Sequence, residues 1–494
     1  AKLRDWFQTS DDSCSDNRTE AERARDYYDG RQLTAEEIAT LQARGQPPVV
    51  DNRIKPKINY LLGMEKRGRT DPKAFPRNPV DQAGANAATD AINFVCDDNM
   101  FQNIASEVCE NMLVEGFGGV DVIVERKYDD VKIRIEHYPW DRLFYDPHSR
   151  RYDFKDAKYI GGVIWMDEDG VRSRWGKAKA ALAVEGAYAY MGTSGDTYDD
   201  RPKMNIWADF KRKRVRVIQI HWTEGEQWYW ATFTAGGFLD DPQKSPYLTA
   251  AGDSSCSLIA HASYVDRRNW RYSPIRDMFD PQDEINKRRS KALHLLSVRQ
   301  VIAEHGAVLN VDEARREMSR PDGYVEVTPG MRFEIQQTQD LAQGQFLLLQ
   351  EAKASLEAVG PNAFLTGTQT QAASGRAVMA SQQGGAIAID GAAMDRFHQF
   401  KHRVYVAIWD RVKQFWTEEK WIRVTDDETN VRFVGLNRPM TVEDKLMSMP
   451  PAEAQYVAQQ AGIGPGDPRL KQPYIGADGQ PELAVPLLER ALAK

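Results

Sequence analysis

The residues best suited to chemistry in this 494-residue chain are cations, and the chemistry they suit is contact with phosphate. Lys287, Arg288, Arg289 and Lys291 crowd onto one helix pattern, and in a ring of identical subunits each would recur as a belt of charge. Neighbouring helix positions point about 100° apart, so the sequence leaves open which of the four faces inward. The plainer account is a solvated helix face. A second run, Lys211 to Arg214, precedes a tryptophan-bearing hairpin (Trp222, Trp228, Trp230), and basic side chains beside stacking ones are what a single-strand-binding surface needs. A strand edge guarded by positive charge, with the tryptophans in the core beneath, accounts for the same pattern and is preferred.

The signatures of catalysis are missing. There is no GxxxxGK[ST], HExxH, GxSxG or paired-cysteine zinc pattern. Gly462, Gly464 and Gly466 lack the strand-to-helix setting of a dinucleotide loop and read as a surface loop. The eight histidines stand singly. The doublets Asp97-Asp98, Asp129-Asp130, Asp240-Asp241 and Asp426-Asp427 lie at turn-like positions and read as turn formers rather than metal ligands. No catalytic residue, metal ligand or cofactor is assigned. A metal-dependent nuclease built on scattered carboxylates stays as the alternative function, with a scaffold protein built on the same helices as a third.

The elements that must position these residues follow from hydrophobic spacing. Positions 361 to 374, PNAFLTGTQTQAAS, carry no charge, and Asn362, Thr366, Thr368, Gln369, Thr370 and Gln371 offer only weak, replaceable hydrogen bonds. A helix pattern precedes them at 340–359. After them a longer one runs from Ser374 to about Glu419, with Phe397, Phe400, Val404, Ile408, Val412 and Phe415 three or four apart on one face. At about 1.5 Å per residue that helix would be roughly 70 Å long. The cationic cluster lies on a helix pattern near 281–298, with Asp283 and Glu284 expected in its first turn. Between 299 and 339 come strand-like runs (VRQVIAEHG, AVLNV, YVEVTPGMRFEIQQT) and a small helix, DEARREMS. The order is helix, small β-rich insert, helix, polar loop, long helix.

Ahead of this unit, Thr34 followed by Glu37 predicts a capping box. Amphipathic helices follow at 81–99 and 103–119. The period then shortens to two: Val120, Val122 and Val124 face Val131, Ile133 and Ile135 across a hairpin, and further strands are expected in YIGGVIWM, RVRVIQIHW and WYWATFTAGG. Residues 1 to about 270 therefore read as mixed α+β.

Composition bounds the rest. With 41% hydrophobic residues the chain can bury a sizeable core, and no apolar run approaches the ~18 residues of a membrane span. Four cysteines without a CxxC pair read as reduced thiols in a cytoplasmic setting. A net charge of -7 argues against a protein that coats nucleic acid generally, so any contact with DNA is local or repulsive. The chain starts without Met and ends on a helix-like run lacking a stop signal, PELAVPLLERALAK, which suggests trimming at one or both ends.

This layout resembles the phage portal proteins, most closely those of short-tailed phages of the P22 type. The resemblance rests on the order of elements from Pro274 to Trp421, on SGRAVMASQQGG at the start of the long helix, and on DYYDGRQLT and NRIKPKINYLLG early in the chain. It implies an α+β portal-type ring subunit in a homo-oligomeric ring, usually a dodecamer, at one capsid vertex. Double-stranded DNA would pass through the ring without sequence preference. The implied partners are the large terminase subunit, a tail or head-completion adaptor, and the major capsid and scaffolding proteins, with no membrane.

Carried onto this chain, the resemblance implies a wing at 1–273, completed by a long helix and strand at 375–430. It implies stem helices at 274–298 and 340–360, a clip at 299–339, a tunnel loop at 361–374 and a crown at 431–494. The clip's docking candidates are Glu304, His305, Arg315, Arg316 and Arg320. An uncharged constriction suits transport, because every phosphate neutralised by Lys or Arg adds affinity that must be broken at the next step. Some portals of this type continue into a helical barrel, and the abrupt end at Lys494 suggests that it has been trimmed.

Overall fold

The computed structural model describes residues 2–76, 82–127, 130–189, 207–209, 212–297, 300–318, 323–336, 339–358, 392–427, 430–437, 439–449, 451–464 and 467–475. Helices α1 (Lys2–Ser13), α2 (Ser15–Asp29), α3 (Ala35–Ala43), α4 (Ile54–Arg67), α5 (Gln82–Asp98) and α6 (Phe101–Val114) come first. Strands β1 (Phe117–Lys127), β2 (Asp130–Tyr138), β3 (Leu143–Tyr145) and β4 (Tyr159–Asp167) follow, then α7 (Glu168–Trp175) and α8 (Lys177–Ala189). The next strands are β5 (Ala208–Asp209), β6 (Arg214–Glu224), β7 (Gln227–Thr234), β8 (Gly237–Lys244), β9 (Leu258–Ala262), β10 (Tyr264–Val265) and β11 (Arg271–Tyr272). After α9 (Phe279–Ser297) come β12 (Gln300–Ala303), α10 (Val311–Met318), β13 (Phe333–Gln336), α11 (Gln339–Ala358) and α12 (Ala392–Phe415). The chain closes with β14 (Lys420–Asp427), β15 (Asn430–Leu436), α13 (Val442–Ser448) and α14 (Pro451–Gln460). The fold is α+β, and among the described residues no helix is long and apolar enough to cross a membrane.

The chain divides into two compact units. The first combines Ala1–Ala21, Leu62–Ser273 and Asp390–Lys494. Its larger sheet has the order β3-β4-β6-β7-β8, with β5 beside β6, all antiparallel. Alternation along β6 explains why both faces are covered: Ile218, Ile220 and Trp222 join Phe7 of α1 in one cluster, while Val215 and Val217 join Val171, Ala180 and Ala183 of α7 and α8 in another. The glycine pair inside β4 is a close-approach device, since a Cβ on Gly162 would lie 2.0 Å from the Tyr138 ring.

A second sheet, β2-β1-β9, carries α12 and α6, and α5 packs against both helices. The expected apolar face of the long helix is real: Phe397, Phe400, Val404, Ile408 and Val412 are each no more than 1% exposed, and Phe415 is half-buried against Tyr247. The described helix has 24 residues, about 36 Å at ~1.5 Å each. Its expected first half lies outside the described residues. It ends at Phe415, and the Asn437 side chain donates to the carbonyl of Trp416 (2.8 Å), a group the helix end leaves unpaired, and to that of Glu418 beyond it (3.2 Å).

The second unit combines Glu22–Leu61 and Pro274–Ile389. Its frame is the α9/α11 pair, joined at one end by β12, α10 and β13. The expected capping box is present at Thr34 and Glu37. Two expectations need correction. The strand-like runs AVLNV and YVEV form no strand; the ladder is confined to Gln300↔Gln336 through Ala303↔Phe333. Beyond it, Gly306 takes φ +89° and the chain folds back, with Thr328 N–H donating to the Ala307 carbonyl at 2.9 Å, so both runs close a loop instead of pairing. And α9 begins at Phe279, which puts Asp280 rather than Asp283 and Glu284 in the first turn.

Candidate functional site

Helix α9 uses its faces for different tasks. Gln282, Asn286 and Ser290 recur every fourth residue and are buried. They catch an extended segment of the same unit in antiparallel order. Arg53 N–H donates to Gln282 Oε1 (3.1 Å), Asp51 N–H to Asn286 Oδ1 (2.9 Å) and Val49 N–H to Ser290 Oγ (3.2 Å). Asn286 in turn donates to Gln32 Oε1 at 2.7 Å. Sequence reading missed this row; its signal was three small polar residues at helical spacing, which look like a solvated face until something buries them.

The four cations of the α9 cluster separate accordingly. Arg288 is held by Glu284 Oε1 (3.1 Å) and by Gln345 Oε1 of α11 (3.3 Å). Arg289 pairs with Asp51 Oδ2 at 2.7 Å. The same carboxylate also meets Arg53 (3.1 Å) and Lys353 of α11 (3.6 Å). Partial burial pushes the Asp51 carboxyl up, but Arg53, Arg289 and Lys353 together outweigh it and hold it below the ordinary carboxylate value. Lys287 and Lys291 are exposed, one helical turn apart on a common face, and make no ion pair among the described residues. The cluster is therefore two tethered guanidiniums and two solvated ammonium groups.

The insert at the end of the helix pair is small and apolar outside. Among the twenty exposed large hydrophobics of the described residues, eleven lie between Leu293 and Leu348: Leu293, Leu296, Ile302, Leu309, Val311, Tyr324, Val327, Met331, Phe346, Leu347 and Leu348. Leu309 is 96% exposed and Tyr324 74%. Five of the eleven lie on α9 and α11 and six on the insert, whose two-stranded sheet and one short helix have too little core to bury them. Val301, Val308, Val311, Ala314, Met318 and Phe333 line a cavity of about 430 Å³ whose polar rim includes Glu304, His305 and Arg315. Arg316 is exposed on the same helix, α10. Glu304 is engaged locally, its Oε2 accepting from Arg332 N–H at 3.2 Å. Arg320 and the uncharged residues Asn362, Thr366, Thr368, Gln369, Thr370 and Gln371 lie outside the described residues.

The other sequence candidates disperse. Trp222 is buried and stacks on Tyr229 at 5.7 Å, a core residue as the plainer account has it; Trp228 and Trp230 are half-buried. Arg212 pairs with Asp209 at 3.3 Å. The carboxylate doublets split between structural partners: Asp98 with Arg134, Asp130 with Lys420, and Asp240 accepting from the Trp175 indole at 2.9 Å. Among the described residues no three His, Cys, Asp or Glu side chains gather closely enough to hold a metal ion.

Comparison with known proteins agrees with this layout. A relative from Helicobacter pylori bacteriophage KHP30, named "Portal protein", is 22% identical over 307 residues, covering 62% of this chain and 48% of its own length. The match thus spans about half the length of that curated relative. A family model described as "Phage P22-like portal protein" matches residues 4–460, nearly the whole chain. The chain belongs to the P22-like phage portal protein family.

Proposed function

We propose that this chain is the subunit of a homo-oligomeric ring at a capsid vertex, the channel through which double-stranded DNA is packaged and later ejected. The observation that supports it is the concentration of exposed apolar side chains on the helix-pair end and its insert. Surface of that kind is normally covered by another protein, and copies of the chain related by rotation would each cover a neighbour. In this reading α9 and α11 are stem helices, 299–339 is the clip, and 361–374 is the uncharged constriction. The clip, with its cavity of apolar walls and charged rim, is the surface on which the terminase motor and then the tail adaptor dock. Lys287 and Lys291 supply modest guidance for phosphate, while Arg288 and Arg289 are occupied within the subunit.

Electron microscopy of the purified protein tests the proposal. Rings with a central hole wide enough for a DNA duplex are expected, and a variant carrying Leu309→Asp and Val311→Asp should fail to form them. A wild-type protein that stays monomeric or forms a compact dimer overturns the reading. Metal-dependent cleavage of plasmid DNA, abolished by a single Asp or Glu substitution, would favour the nuclease instead.

A further inference from the structure

A second surface stands out in the unit that lacks the helix pair. Two loops, 146–158 and 266–271, are tied together side by side. Asn269 Nδ2 donates to the Pro147 carbonyl at 3.2 Å, and the buried Arg271 guanidinium donates to Ser149 Oγ (2.8 Å) and to the Arg151 carbonyl (3.2 Å). Arg271 also lies over the rings of Tyr145 (4.4 Å) and Phe154 (4.6 Å), which fixes the junction to the core.

The carboxylates of these loops are consumed locally. Asp146 accepts from the backbone N–H groups of His148 and Lys158, and Asp266 from those of Arg268 and Trp270. Asp156 accepts from Ser149 Oγ and Arg150 N–H, and Asp153 from both arms of Arg151. The cations left over point outward. Arg150, Lys155 and Arg267 are exposed with no side-chain partner among the described residues, and Arg268, also exposed, lies over the Trp270 ring at 5.2 Å. On a chain of net charge -7 this is a local positive surface held by rigid loops.

We propose that these two loops form a sequence-independent docking surface for the phosphate backbone of duplex DNA. Phosphate chemistry is favoured over a protein face because no exposed large hydrophobic residue falls within either described loop. Protein interfaces draw their affinity from aromatic and aliphatic anchors. A nucleic-acid backbone needs only cations and counterion release. The surface goes beyond the channel reading and stands whether or not the chain forms rings.

The probe is a covalently closed circular duplex, which cannot thread a preassembled ring, and the readout is its retention by the full chain as salt is raised. Wild-type protein should retain circles with a steep salt dependence. Combining Arg150→Ala, Arg267→Ala and Arg268→Ala should flatten the slope of log K against log salt by ~2.7, at ~0.9 per phosphate contact. The matching triple Arg→Lys variant should keep most of the slope. Unchanged thermal unfolding of both variants shows that the loops are intact. Equal affinity and slope in the alanine variant overturns the proposal. So does a wild-type chain that retains no circles.

Discussion

The backbone N–H of Asp51 donates to Oδ1 of Asn286 at 2.9 Å, at the middle of a ladder whose two rails have matching pitch. Four residues of α9 rise about 6 Å, and two residues of extended chain advance about 6.6 Å. Gln282, Asn286 and Ser290 therefore meet residues 53, 51 and 49 in register. Replacing Asn286 by Ala should cost ~1–3 kcal/mol, because the Asp51 N–H and the Gln32 side chain both lose a partner in a buried setting. Ser290→Ala, which strands one donor, should cost less. Urea unfolding of the two variants against wild type checks the order.

Asp51→Asn keeps that backbone contact but releases Arg53, Arg289 and Lys353. Three freed cations should steepen the salt dependence of duplex binding by up to ~2.7 in slope, at ~0.9 per phosphate. The acid response should change as well. The folded carboxyl lies below its ordinary value of 3.8 because its three cations outweigh partial burial. Its contribution is present above that value and is lost as pH falls below it. Wild type should therefore lose stability on strong acidification by an amount missing from the Asn variant, as acid unfolding curves will show.

A second ladder fastens α12 to β9 and its flanks, and arginine supplies its rungs. Arg396 donates to the Ser263 carbonyl, Arg403 to those of Asp153 (2.8 Å) and Ala260 (3.1 Å), and Arg411 to Ser255 Oγ (3.2 Å) and the Cys256 carbonyl (3.3 Å). Steps of seven and eight helical residues, about 10.5 and 12 Å, match steps of three and four strand residues, about 10 and 13 Å. Arg411 is 1% exposed and lies 4.2 Å from the Tyr247 ring centre. Arg411→Met should cost ~2–4 kcal/mol, and Arg411→Lys should recover little of it, because an ammonium cannot fork between two acceptors or stack flat on a ring. Thermal melts of both variants test this.

Burial holds His221 neutral, with its pKa pushed down to about 4; burial, helped by Arg403, pushes His261 down to about 3. Both ordinarily titrate at 6.5, so the unfolded chain binds protons first as pH falls. Stability from this source is complete above that value and should fall by ~1.4 kcal/mol per pH unit for each histidine until the folded value is reached. Burial raises Asp121 from 3.8 to about 6, which opposes the loss over most of the same range. Both ring nitrogens of His261 lack a partner beside Tyr152 and Phe400. His261→Leu should therefore be neutral to stabilising near neutrality and should reduce the acid slope by one proton, measured as stability against pH.

Much of this molecule is visible in its spacing. The i, i+3, i+4 run from Phe397 to Val412 gives the buried face of α12, the period-two valines give β1 and β2, and Thr34 with Glu37 gives a cap. Each is local, since backbone geometry alone turns the pattern into a face. Family membership could be anticipated too, because it rests on the order of elements. What spacing could not give is the assignment of charge. Lys287, Arg288, Arg289 and Lys291 are equivalent as letters. Only the approach of Asp51 and Gln345 separates the tethered pair from the solvated one. Likewise Gln282, Asn286 and Ser290 look solvated until a distant extended segment covers them, and Arg150, Arg267 and Arg268 become one surface only through Arg271. A pattern along the chain fixes which way a side chain points. What it meets there depends on residues hundreds of positions away, and that was decided by the tertiary fold.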